Sequence, residues 1–93
     1  MKKAFLITYA FKGDSSKYTG LYDAIKSFGG WWHYLDNTWL IMFDGTAAQI
    51  LERLKPHINE GLNLLVVEIG RDRQGWLPSK AWEWFKKNIP KNG

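Results

Sequence analysis

The chain has 93 residues, 45% apolar and 24% charged, with a net charge of +4 and no cysteine. This length predicts one hydrophobic core without a second domain, and the composition excludes a disordered or collagen-like chain. Without cysteine there is no disulfide, thiolate metal site or cysteine nucleophile, which fits a soluble protein of a reducing compartment, the cytoplasm.

Met1-Lys2-Lys3 resembles the charged start of a signal peptide. The apolar run behind it is short, however, and ends in Tyr9, Phe11 and Lys12 with no small-residue cleavage site. Lys3 to Phe11 is therefore read as a strand, apolar on both faces and suited to the centre of a sheet. Lys12 to Ser16 is turn chemistry, and its serines are placed to cap a helix in which Leu21, Ala24, Ile25 and Phe28 share one face. Gly29-Gly30 stops that helix. Trp31 to Asp36 and Thr38 to Asp44 then read as a hairpin turning at Asp36-Asn37.

Thr46 and Gln49 have capping-box spacing and open a second helix carrying Ile50, Leu51 and Leu54, which ends near Pro56. Turn residues from Asn59 to Asn63 precede a mostly apolar run, Leu64 to Ile69, expected to be a strand covered on both faces. Arg71 to Trp76 is a polar connection. Pro78-Ser79 introduces a last helix with Ala81, Trp82 and Phe85 on one side and Lys80, Lys86 and Lys87 outside, closed by Pro90. No stretch approaches the roughly 20 apolar residues of a membrane-spanning helix. The order β-α-β-β-α-β predicts an α+β, ferredoxin-like domain: a four-stranded antiparallel sheet with two helices on one face and a C-terminal helix after it.

Such a sheet needs a cover for its second face. Strict alternation along the hairpin sends either Trp31, His33 and Leu35 or Trp32, Tyr34 and Asp36 away from the two helices. Three covers are open: the C-terminal helix with Trp82 and Phe85, a second copy of the chain, or stacked nucleotide bases. Trp31, Trp32, Tyr34 and Trp39 are the candidates for that dimer or stacking face.

The strand FLITYAF, the segment LYDAIKSFGGWWHYLDNTWLI, the run LLVVEIG and the late GWLPSKAWEWF resemble small bacterial and phage proteins catalogued as SinR-like. That family is similar to the second CRISPR-associated protein, the ferredoxin-like subunit of the spacer-integration complex, and more remotely to the VapD toxins. The resemblance covers nearly the whole chain, and its Gly-Gly-Trp-Trp-His-Tyr-Leu segment is its most specific part. It implies a homodimer with a shared sheet surface and a connection to RNA, DNA or a nucleotide, as well as nuclease ancestry. In those patterns the first strand ends in Tyr-Asp, and the Asp is the proposed metal-binding residue. Here Tyr9 is followed by Ala10. A methyl group supplies no hard oxygen ligand for Mg²⁺, so the implied metal-dependent nuclease is inactive as written and no cofactor is expected unless an Asp stands at position 10. Ala10 reads equally as divergence toward a binding role and as an inactivating substitution. Asp14 substitutes for the missing carboxylate only if its loop folds back.

Residues 1 to 70 hold seven Lys/Arg and seven Asp/Glu, whereas residues 71 to 93 hold six against two, so the excess positive charge is C-terminal. Arg71 and Arg73 beside Trp76 suit phosphate contact with base stacking, or else form a solvated loop whose Trp76 anchors the last helix. Lys80, Lys86, Lys87 and Lys91 extend a phosphate track or serve solubility. His33 is a candidate general base or phosphate contact, or a packed strand histidine; His57 suits the C-terminal end of the second helix. Asp36 and Asp44 read as turn residues. Glu68, inside an apolar run, needs an edge, a cleft or a cation. There is no phosphate-binding glycine loop and no serine-hydrolase elbow. A module of phage or host defence that docks another protein is the alternative function.

Overall fold

The computed structural model describes residues 1–13, 15–59 and 61–89. Its elements are β1 (Lys3–Phe11), a 3-10 turn (Ser15–Tyr18), α1 (Thr19–Lys26), β2 (Trp32–Leu35), β3 (Thr38–Phe43), α2 (Ala47–Leu54), a second 3-10 turn (Lys55–His57), β4 (Leu62–Glu68) and α3 (Ser79–Asn88). The strands form one antiparallel sheet in the order β2-β3-β1-β4. β3 lies between the strands that α1 joins, and β1 between those that α2 joins. These two interleaved split βαβ units make a ferredoxin-like α+β domain, as the element order predicts. Among the described residues no helix is long and apolar enough to cross a membrane.

Side chains alternate along β1, so its apolar residues feed two separate clusters. Phe5, Ile7 and Tyr9 join Trp39 and Ile41 of β3, Leu62 of β4, and Leu21, Ile25, Ile50 and Leu54 of α1 and α2 in one buried core. Burial of each such large side chain contributes about 1.5–3 kcal/mol. The Trp39 Nε1–H donates to the Tyr9 hydroxyl at 2.9 Å, which satisfies the one polar atom the indole brings inside. Burial pushes the Tyr9 phenol up to about 12, with the Trp39 hydrogen bond pulling the other way.

Helix ends follow the sequence at α2 and depart from it at α1. The Thr46 Oγ1 accepts from the Gln49 N–H at 3.2 Å, and the Gln49 Oε1 accepts from the Thr46 N–H at 2.8 Å, completing the capping box. α1 instead starts at Thr19, with Tyr18 at its N-cap and no capping side-chain bond. The helix follows a 3-10 turn whose last residue, Tyr18, is drawn into the core. Its ring lies 4.5 Å from that of Phe11, and its hydroxyl donates to the Asn59 Oδ1 at 3.2 Å. Gly29 and Gly30, at φ 76° and 54°, turn the chain out of α1 as expected.

Two further expectations are corrected. β4 is an edge strand, and Leu65 and Val67 on its outer alternate positions are 57% and 43% exposed, so it is not covered on both faces. Nor does β2 alternate strictly. Trp32 pairs with Leu40 but Leu35 with Thr38, a one-residue shift that puts both Trp32 and Leu35 on the face opposite α1 and α2.

The C-terminal helix covers half of that second face. Ala81 and Phe85 of α3, with Ile89, pack on Ala4, Trp32, Leu40 and Met42. Beyond the helix, Leu35, Leu65 and Val67 remain exposed, and Trp76 in the connection is wholly exposed. Trp76 therefore does not anchor α3. Glu68 meets the cation it requires, Lys3, at 3.7 Å across the sheet edge.

Candidate functional site

Along α3, Lys80, Glu83, Trp84 and Lys87 fall at i, i+3, i+4 and i+7, so they share one stripe. With Ala81 and Phe85 packed on the sheet, that stripe is turned toward the edge strand β2. Between them lies a groove of about 540 Å³, lined by Trp31, Trp32, His33 and Tyr34 on one wall and the α3 stripe on the other. Its volume is in the range of small-molecule sites.

The aromatic wall is held rigidly. His33 stacks flat on Trp39, with ring centroids 3.7 Å apart, and its Nε2 is hydrogen-bonded to the Asp36 carbonyl at 2.9 Å. Trp31 leans on Trp39 at 5.4 Å, and the Lys26 ammonium lies over both indoles at 5.3 and 5.9 Å. Tyr34 meets Trp32 edge-on at 5.1 Å, and Trp32 in turn touches Phe85. Trp31 and Tyr34 are 44% and 42% exposed. The indole Nε1 of Trp32 is buried without an acceptor, a donor left unsatisfied in the groove wall.

The sequence-predicted residues divide among several places. Lys80, Lys87, Trp31, Tyr34 and His33 meet in the β2–α3 groove. Arg71, Arg73 and Lys86 lie on the opposite flank of α3, in a second groove with Trp82, Phe85 and Ile89. There the Arg73 guanidinium sits 4.8 Å over the Phe85 ring and donates to the Gly70 carbonyl at 2.9 Å, which pins it to the helix. Trp76 belongs to a third groove on the open sheet face, with Leu6, Leu35 and Arg73. Trp39 and Trp32, expected on an exposed stacking or dimer face, are 2% and 3% exposed: the first lies in the helix-covered core and the second beneath α3. His33 is tied by stacking and a backbone hydrogen bond, the arrangement of a packed residue rather than a free base.

Ala10 is not among the residues that line these three grooves. It is exposed at the end of β1 opposite Asn63, in a shallow hollow formed with Thr8, Tyr9, Leu64 and Leu65. Among the described residues that hollow contains no carboxylate, so those residues do not fit a divalent cation. Among the described residues no group of three or more His, Asp or Glu side chains is placed to hold a metal. Asp14, Pro90 and Lys91 lie outside the described residues. Sequence reading missed Glu83 and Trp84. The i, i+3, i+4, i+7 spacing was the available signal, obscured because Trp82 and Phe85 define an equally good apolar side.

No family model matches the chain, and no curated protein sequence matches it.

Proposed function

We propose that the protein binds nucleic acid or a nucleotide through the β2–α3 groove and works as a homodimer. The observation that carries this reading is the placement of two lysines, Lys80 and Lys87, along one wall and the half-exposed Tyr34 along the other, with half-exposed Trp31 beside it, its ring against Trp39 and Lys26. Cations that meet phosphates and flat π faces that meet bases are the two elements of sequence-tolerant nucleic-acid binding. The second basic groove, with Arg71, Arg73 and Lys86, offers further phosphate contacts on the other flank of the same helix. Pairing of two copies is supported by the apolar remainder of the sheet face, Leu35, Leu65 and Val67 beside Trp76. The resemblance to the SinR-like and CRISPR-associated proteins points the same way, and Ala10 then marks a member whose nuclease chemistry is disabled.

The test is a titration with single-stranded RNA and DNA at several salt concentrations. Affinity should fall steeply with salt through counterion release. Binding that hardly responds to salt, or no binding at all, removes the proposal. Ala10→Asp assayed for Mg²⁺-dependent cleavage tests the disabled-nuclease part: cleavage that appears with the substitution supports it, and none in either form sinks it.

A second reading, a protein-docking module, is favoured by the same exposed Leu35, Leu65, Val67 and Trp76, which suit an apolar partner surface. It predicts a complex that is insensitive to salt.

A further inference from the structure

We infer that the groove takes an unpaired strand, and that Glu83 reads one of its bases, favouring guanine. The inference rests on the nucleic-acid reading above and names the substrate class for the same groove.

Half-exposed Tyr34 and half-buried Trp84 line the groove, as does half-exposed Trp31, whose ring leans on Trp39 and Lys26. Aromatic side chains stack on bases that are splayed out of a strand, because the faces of a paired base are already covered by its neighbours.

Glu83 lies between Lys80 and Lys87 on the stripe that lines the groove, and it is exposed, making no hydrogen bond or salt bridge among the described residues. A phosphate backbone running along α3 would pass two cations and one anion, and the anion repels it. The side chain suits a base edge instead, where it accepts hydrogen bonds from amine and imine donors. Guanine presents N1–H and the N2 amine side by side, two donors that one carboxylate accepts in parallel. Cytosine and adenine present one amine each, whereas uracil turns carbonyl oxygens on either side of its single N–H toward the carboxylate. A site that holds donors in this way discriminates against bases lacking them by about tenfold or more.

The experiment measures binding of a fluorescently labelled oligouridine whose central position is uridine, guanosine or inosine, as a single strand and as a duplex, to the wild-type chain and to Glu83→Gln. Wild type should bind the guanosine strand about tenfold more tightly than the uridine strand, with inosine, which lacks the N2 amine, between them. Glu83→Gln should reduce that preference to about threefold or less while leaving uridine-strand affinity equal or higher, since a negative charge has been removed. Equal affinity for guanosine and uridine strands in wild type, a duplex bound as tightly as the single strand, or a Glu83→Gln change that is uniform over all strands would overturn the inference while leaving nucleic-acid binding in place. Failure of every oligonucleotide to bind overturns both. Because Glu83 is exposed and has no ion pair among the described residues, its variant should unfold at the wild-type temperature, so loss of preference reads on the ligand.

Discussion

The two faces of the sheet are built from alternate residues of the same strands and end in different states. Under α1 and α2, Phe5, Ile7, Tyr9, Trp39 and Ile41 form a closed core in which Tyr9 and Trp39 satisfy each other's polar atoms. On the other side a single helix, α3, covers Ala4, Leu40, Met42 and Trp32, and leaves Leu35, Leu65 and Val67 in solvent. The reason is size. A helix is about 10–12 Å across, whereas four strands spaced about 4.8 Å apart and up to nine residues long at about 3.3 Å per residue make a wider and longer surface. Two helices close such a face. One leaves grooves along both of its flanks, and those grooves collect the exposed aromatics and cations.

Substitutions can break this contrast at points of decreasing cost. Trp39→Ala should be the most damaging, about 4 kcal/mol in chemical denaturation, because it opens a cavity in the closed face and removes the indole donor from the Tyr9 hydroxyl. Phe85→Ala should cost about 3 kcal/mol, and its diagnostic is a change in tryptophan emission as water reaches Trp32 and Trp82. A denaturation curve that Phe85→Ala leaves unmoved would mean that α3 is not docked.

Tyr34→Ala sharpens the comparison, since it lies on the groove rather than in either core. It should lower single-strand affinity about tenfold through lost base stacking while costing under about 1 kcal/mol of stability. Equal affinity in variant and wild type would remove Tyr34 from the binding surface. Gly45→Ala acts locally. A Cβ at Gly45 meets the Gln49 Oε1 and the Phe43 ring, so the capping box must open, at a cost of about 1 kcal/mol measured by thermal unfolding.

The mildest probe is pH. The Tyr9 phenol is raised from 10.0 to about 12 by burial, so the unfolded chain releases this proton first. Its contribution to stability is complete below pH 10 and is lost as pH rises toward 12. Tyr9→Phe should flatten the decline in stability over that window; an unchanged slope would show that Tyr9 titrates as an open phenol.

Much of the fold is legible in the amino-acid sequence. The two-sided apolar run of β1 requires a central strand, Thr46 and Gln49 require a helix start, and Gly29-Gly30 requires a stop, because each signal is satisfied within a few residues of itself. Readings that need distant neighbours fare worse. Leu64 to Ile69 resembles a doubly covered strand, yet β4 lies at the edge, and its apolar outer face reports an open surface rather than burial. Trp31, Trp32 and Trp39 are alike in a sequence. The docking of α3 buries Trp32, the core under α1 and α2 buries Trp39, and Trp31 at the start of β2 is left half-exposed.

Local chemistry thus determined the element order, the α+β class and the C-terminal bias of charge, since periodicity, caps and turns act over one or two turns of chain. Tertiary structure alone decided which flank of α3 each cation occupies, that Glu83 and Trp84 line one groove with Trp31 and Tyr34, and that Ala10 is not part of that lining. Those relations depend on how a helix seats against a sheet, and the seat is chosen by packing between residues far apart along the chain.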